Sequence, residues 1–179
     1  YDELAGMLDH EALERYRRRA HNPGHPVLRG SAQNGDIYFQ AREAINPKYN
    51  ELPDIVERYM DAVNEKLGTD YKPFNYYGAP DARHVLVAMG SICETAEEVV
   101  DYLNAQGKKV GLVKVRLYRP FSVKHLLKVL PETVEKIAVL DRTKEPGGMG
   151  EPLYLDVVAA LAGRNVKIVG GRYGLASKD

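Results

Sequence analysis

Three short stretches carry the residues that could do chemistry. "Ala-Met-Gly-Ser" at 88–91, "Asp-Arg-Thr-Lys-Glu-Pro-Gly-Gly-Met-Gly" at 141–150 and "Gly-Gly-Arg-Tyr-Gly-Leu" at 170–175 each join glycines to polar or charged neighbours. Gly90 permits a tight turn and Ser91 can cap backbone N–H groups, so the first stretch could hold a phosphate or carboxylate at a helix N-terminus, or be a plain strand-to-helix turn. In the second, Gly147, Gly148 and Gly150 let the backbone approach a partner closely, and Arg142 and Lys144 could meet an anion. The stretch lacks the Gly-Lys-Ser/Thr ending of a phosphate-binding P-loop. Docking of another protein surface is therefore the leading expectation for it, ahead of a small-molecule site. In the third, Arg172 and Tyr173 are residue types favoured at interfaces.

Other candidates are weaker. Cys93 falls in a first helical turn, where the helix dipole could lower its pKa, but no second thiol or nearby histidine supports catalysis, and a buried inert thiol is expected. His84 and His125 have no sequence neighbours at metal-ligand spacing, so no metal site is expected. Asp54 and Glu57, like Glu94, Glu97 and Glu98, read as helix N-terminal charges rather than acid–base pairs. No residue is assigned a catalytic role.

The elements that must position these residues follow from periodicity. Runs of Val, Ile and Leu over 84–89, 110–117, 136–140 and 166–169 predict buried strands, with a short aromatic strand at 74–77. Between them lie an amphipathic helix over 94–106, a short helix capped by Ser122 and stopped by Pro131, and a helix around 152–161. Strand–helix alternation of this kind predicts a mostly parallel sheet with helices on both faces, a three-layer αβα domain. That domain is placed at 71–179. Residues 1–70 read as a helical arm or linker. One helix follows Asp9 with Leu13 and Tyr16 on one face, and "His-Asn-Pro-Gly" at 21–24 breaks it. Another starts near Pro53, carries Ile55, Val56, Tyr59, Met60, Val63 and Leu67, and ends at Gly68.

Composition narrows the class. The chain has 179 residues, 25 basic against 25 acidic, and a hydrophobic share of 44%. A zero net charge argues against an electrostatic nucleic-acid binder. The run Arg15-Tyr16-Arg17-Arg18-Arg19 follows Glu11 and Glu14, which suits a solvated helix face. A single cysteine excludes an internal disulfide, fits a reducing, cytoplasmic setting, and cannot hold an iron–sulfur cluster. No apolar run is long enough for a membrane span. Both ends read as cut from something longer.

The motifs taken together resemble the pyruvate:ferredoxin (flavodoxin) oxidoreductase family. The resemblance rests on "HPVLRGSAQNGDIYFQARE" at 25–43, "VAMGS" at 87–91, "VKVRLYRPF" at 113–121, "LDRTKEPG" at 140–147 and "GGRYGLASKD" at 170–179. It covers essentially the whole chain. Gly35 departs from it, since a proline is expected there. The resemblance implies a large multidomain enzyme that uses thiamine diphosphate with Mg2+ to decarboxylate a 2-oxoacid. It further implies acyl transfer to coenzyme A and electron flow through [4Fe-4S] clusters to ferredoxin or flavodoxin, with a homodimeric parent. The present chain would be the end of the first domain plus the second, whose fold resembles the C-terminal domain of transketolase: a mostly parallel five-stranded sheet with one antiparallel edge strand. Thiamine and the clusters would be bound elsewhere, and this chain would hold neither.

The expected role is then a structural and interdomain-interface domain, inactive alone. Its partners would be other domains of the same polypeptide. "RGSAQNGDIYFQAREA" at 29–44, which fits no ordinary element, becomes an interdomain seam. Ile37, Tyr38 and Phe39 would be buried against neighbours, and Arg29, Gln33 and Asn34 would supply polar contacts. Two alternatives stay open. One is an anion- or coenzyme A-binding module using loop 145–150, with Gly90, Ser91, Arg142, Gly147 and Gly148 as candidate contacts. The other is an unrelated flavodoxin-like carrier.

Overall fold

The computed structural model of the chain describes residues 1–28, 30 and 32–177. Arg29, one of the expected seam contacts, lies outside the described residues. Five strands form one sheet: β1 (Phe74–Gly78), β2 (His84–Ala88), β3 (Val110–Val115), β4 (Lys136–Asp141) and β5 (Lys167–Arg172). The order across the sheet is β1-β3-β2-β4-β5. β1 runs antiparallel to β3, with Phe74 opposite Val115 and Gly78 opposite Gly111. The other pairings are parallel. The α/β class, the five strands and the antiparallel edge strand all agree with the expectation.

Four helices in chain order precede the sheet: α1 (Asp2–Ala5), α2 (His10–Arg18), α3 (Gly35–Glu43) and α4 (Asn46–Leu67). Three connect its strands: α5 (Ile92–Ala105), α6 (Val123–Val129) and α7 (Pro152–Ala160). The chain steps one way from β2 through α5 to β3, and the other way through α6 and α7. Crossovers of one hand then put α5 on the opposite face from α6 and α7. Side-chain alternation shows this directly. Val85, Val87, Val113, Ile137 and Val139 join Leu126 of α6 and Leu153 and Val157 of α7 in one cluster. Ala88 and Leu112, offset by one residue, join Cys93, Ala96 and Val100 of α5 in the other.

The two faces are not equally covered. α5 packs on β3 and β1. Over the other half of that face, Leu86, Ala138 and Leu140 are only partly buried, and Val169 is 48% exposed. The expected covering of both faces is thus complete on the α6/α7 side and partial on the α5 side.

The arm departs from expectation in two places. Residues 35–43 are helix rather than an irregular stretch: the Asn34 carbonyl accepts from the Ile37 and Tyr38 amides at 3.1 and 2.9 Å. The long helix begins at Asn46, with Pro47 in its first turn, so Pro53 sits in the interior and not at the start. Gly68 ends α4 in the left-handed conformation, as the sequence predicts. α1, α2 and α3 contain no buried residue, and Pro53 is the one buried residue of α4. On α2, Arg15 and Arg17 pair with Glu11 and Glu14, so two charges of the basic run are matched on an exposed helix face.

Candidate functional site

The three glycine-bearing stretches converge at the C-terminal ends of the parallel strands, where open α/β sheets place ligands. The link is Tyr173. Its backbone N–H donates to the Asp141 carbonyl at 3.1 Å, and its hydroxyl donates to the Met89 carbonyl at 2.8 Å. The end of β5 is thereby tied both to the β4 loop and to the turn before α5. Gly90 adopts φ +78°, and a Cβ there would stand 3.8 Å from the Tyr173 hydroxyl.

Two buried acids organise the β4 loop. Asp141 is 1% exposed and accepts the Leu153 and Tyr154 amides at 2.9 and 3.1 Å, so it satisfies the first turn of α7 from the end of β4. Burial pushes its carboxyl above the ordinary range, against the two amide bonds and with help from the nearby Glu151 and Asp156 charges. Glu151, the residue before α7, accepts from Arg172 at 3.0 Å and from the Glu145 amide at 3.4 Å. Burial opposes its ionisation, but the Arg172 hydrogen bond and the other donors outweigh that and hold the carboxyl low. Neither acid was singled out in the sequence. A strand-terminal Asp followed by a Glu-Pro helix start is the signal that could have found them.

The cations of the loop have protein partners. Arg142 Nε donates to the Gly174 carbonyl at 3.3 Å, and Lys144 Nζ to the Glu145 carbonyl at 3.2 Å. A shallow cavity of about 190 Å³ lies between Gly148, Gly150, Glu151, Tyr154, Gly170 and Arg172. Two of its glycines serve packing: a Cβ on Gly150 or Gly170 would meet the Tyr154 side chain at 2.3 or 3.1 Å. Gly147 (φ +75°) has open space around it, and a Cβ on Gly148 would meet the Glu145 side chain at 3.0 Å. Met149 at the loop tip is 98% exposed. The arrangement offers an exposed apolar knob on a loop whose two cations are engaged in internal contacts.

At the start of α5, Ser91 makes no side-chain cap, and the Cys93 amide donates to the Gly90 carbonyl at 3.1 Å. Burial pushes the Cys93 thiol up, with Lys114 and Arg116 opposing, so the helix-dipole lowering weighed from sequence is overcome. A [4Fe-4S] cluster needs several thiolates, and the chain has one cysteine, buried. A magnesium diphosphate would need a free carboxylate near a phosphate cradle. Asp141 and Glu151 are both engaged, so the β4 loop does not fit that group.

The expected seam residues among the described ones are presented outward. Ile37 and Tyr38 are each 51% exposed and Phe39 69%. Gln33 and Asn34 are exposed, and Arg42 lies over the Tyr38 ring at 5.9 Å.

A second cluster joins the arm to the domain, and here the sequence reading is corrected. His125 is not isolated. Its Nε2 stands 3.2 Å from Glu57 and 3.3 Å from Asp54, and its Nδ1 stands 2.7 Å from the Ser122 hydroxyl. Asp54 and Glu57 are not N-terminal charges either, because α4 starts eight residues before Asp54. Lys124 donates to Asp54 at 2.6 Å and Lys128 to Glu57 at 2.9 Å. One ligand atom from each of Asp54, Glu57 and His125 falls within 4.8 Å of the others, but each carboxylate already carries a lysine. The cluster is a polar clasp. His125 and Glu57 are 68 residues apart, so nothing local announces it.

Comparison with known proteins gives this geometry its setting. Residues 82–179 match the family model described as pyruvate:ferredoxin oxidoreductase core domain II. A pyruvate-flavodoxin oxidoreductase of Enterobacter agglomerans is 57% identical over 181 aligned residues, covering 100% of this chain and 15% of the relative. A pyruvate:ferredoxin oxidoreductase of Moorella thermoacetica is 58% identical, covering 100% of this chain and 16% of the relative. The chain therefore spans about one-sixth of the length of these relatives. Among solved structures, 2-oxoglutarate:ferredoxin oxidoreductase from Magnetococcus marinus superposes on 88% of this chain and 23% of that chain. Its TM-score is 0.50 at 18% identity, which bears on the fold alone. With more than half of its length inside the family model, the chain belongs to the pyruvate:ferredoxin oxidoreductase core domain II family.

Proposed function

We propose that the chain is the interdomain-interface part of a pyruvate:ferredoxin or pyruvate:flavodoxin oxidoreductase, with an arm over 1–70 and the α/β domain over 71–179. The single observation that carries this is the identity of 57–58% along the full chain to oxidoreductases about six times longer. The whole protein would convert pyruvate and coenzyme A to acetyl-coenzyme A and carbon dioxide. The two electrons released would pass to ferredoxin or flavodoxin. Thiamine diphosphate with Mg2+ and [4Fe-4S] clusters would supply the decarboxylation and electron chemistry from other domains of a homodimeric, cytoplasmic enzyme. No described helix of this chain is long and apolar enough to cross a membrane.

Within that enzyme this chain contributes surfaces. Ile37, Tyr38 and Phe39 of α3, flanked by Gln33 and Asn34, form one. Met149 on the β4 loop, which lines one shallow cavity with Arg172, forms another. The test uses purified full-length protein and purified residues 1–179 side by side, assayed for pyruvate- and coenzyme A-dependent reduction of ferredoxin and flavodoxin. Turnover by the full-length protein alone is expected. Turnover by the 1–179 chain, or none by the full-length protein, would overturn the reading.

A further inference from the structure

The clasp between arm and domain brings together three groups that ligate first-row metals. Asp54 and Glu57 stand three residues apart on α4, so they share the face that meets His125 of α6. The His125 side chain is 3% exposed, and its Nδ1 stands 2.7 Å from the Ser122 hydroxyl. The ring is thereby fixed with Nε2 aimed at the two acids. Nε2 lies 3.2 Å from Glu57 Oε2 and 3.3 Å from Asp54 Oδ1. Neighbouring ligands on an ion with bonds of about 2.1 Å are separated by roughly 3.0 Å in octahedral and roughly 3.4 Å in tetrahedral geometry. Both separations fall in that range, and one ligand atom from each of the three residues lies within 4.8 Å of the others.

We propose that Asp54, Glu57 and His125 bind a divalent first-row metal ion, Zn2+ being the best fit, and that the ion staples α4 to α6. The site lies wholly within this chain and goes beyond its interface role. The donors decide the class of ion. Ca2+ and Mg2+ take oxygen ligands, whereas imidazole suits Zn2+, which outbinds Mn2+ and Fe2+ at nitrogen and oxygen donors. Two carboxylates match the charge of a divalent ion. A ligating histidine donates its other N–H to an oxygen. Ser122 Oγ is placed to accept that bond from Nδ1, which leaves the Nε2 lone pair to the ion. The lysines of the clasp are compatible with this. Lys128 bonds Glu57 at Oε1 and leaves Oε2 to the ion, so it stays on as a partner of the bound carboxylate. Lys124 shares Asp54 Oδ1 with His125 and is the group the ion displaces. Its side chain is 69% exposed, so it can swing into water. Asp54 is itself exposed and closes the third edge by turning its side chain, and water completes the shell from that side.

The test uses the full-length protein with Zn2+ as the probe. Protein equilibrated with excess Zn2+ is desalted and its zinc counted by elemental mass spectrometry, beside Asp54→Asn and His125→Ala. Each variant is expected to retain about one zinc per chain less than the unsubstituted protein. Asp54→Asn alters an exposed side chain, so the comparison stands even if His125→Ala fails to fold. Crystals of the unsubstituted protein soaked in Zn2+ are expected to show density beside His125 Nε2 in the difference between anomalous maps on either side of the zinc edge, where iron cancels. Lys124→Ala is expected to bind Zn2+ up to about fivefold more tightly, because it removes an exposed ion pair that competes for Asp54. Amide exchange over α4 should slow on adding Zn2+ to the unsubstituted protein and stay unchanged in Asp54→Asn. Equal zinc content in the unsubstituted protein and Asp54→Asn, no zinc density at His125, or α4 exchange indifferent to Zn2+ would overturn the proposal and leave a clasp of ion pairs alone.

Discussion

Asp141 shows how a residue that looks like part of a ligand site is consumed by the scaffold. It stands first in the richest motif of the sequence, at the end of a strand, next to Arg142. The structure buries it to 1% exposure and spends both oxygens on the first turn of α7. Asp141→Ala leaves two buried amides unpaired, which costs about 1–3 kcal/mol. Arg142→Ala removes one 3.3 Å bond from an exposed side chain and is expected within about 0.5 kcal/mol of the unsubstituted chain. Urea unfolding of the 1–179 chain reads both. Equal midpoints for the two variants would mean that Asp141 does not hold α7. The motif was legible as a place where the chain does something unusual. Its use was not, because a sequence shows that an acid follows a strand but not which amides it will meet.

At the scale of elements, the sheet was readable because each buried strand carries a short cluster of Val, Ile and Leu bounded by turn signals. α3 was not, because glycines beside Asn and Asp look like a loop until the helix cap is seen. Its first residue, Gly35, has no atom within 4 Å of where a Cβ would stand, and Asn34 precedes it as the cap. Proline is favoured at such a first helical position. Gly35→Pro is therefore expected to stabilise α3 by about 0.4–1 kcal/mol, through a less flexible unfolded chain. Slower amide exchange over α3 checks it, and faster exchange would refute the cap geometry. Gly78 gives the opposite case. It holds φ +118°, and a Cβ would meet the Val110 carbonyl oxygen at 2.6 Å and Val100 Cγ1 at 2.9 Å. Gly78→Ala should destabilise the chain by about 1–3 kcal/mol, because the strain at the end of β1 has no room to relax. An unchanged thermal midpoint would show that the β1–β2 corner can shift.

At the scale of the whole molecule, what matters is how an arm without a core is held to a domain with one. The only buried residue of α4 is Pro53, so apolar packing holds the arm weakly and the clasp on α6 has to contribute. None of this was legible in the sequence, where Asp54, Glu57, Ser122 and His125 are unremarkable residues on separate segments. The acids are held below their ordinary values of 3.8 and 4.5. For Asp54 the first cause is the hydrogen bond from Lys124, and for Glu57 the one from Lys128. The sign follows from linkage. A carboxyl lowered by folding stabilises above its unfolded value, and that contribution is lost as pH falls through the folded one. Acid should therefore release α4 before it melts the sheet. Glu57→Gln should do the same near neutral pH, since it removes the partner of Lys128 and weakens the contact to buried His125. The expected cost is about 1.5–3 kcal/mol, that of a charged hydrogen bond. Hydrogen exchange resolves the two parts. Amides of α4 should lose protection in Glu57→Gln while β2, β3 and β4 keep theirs. Uniform loss across both would mean that arm and domain unfold as one unit.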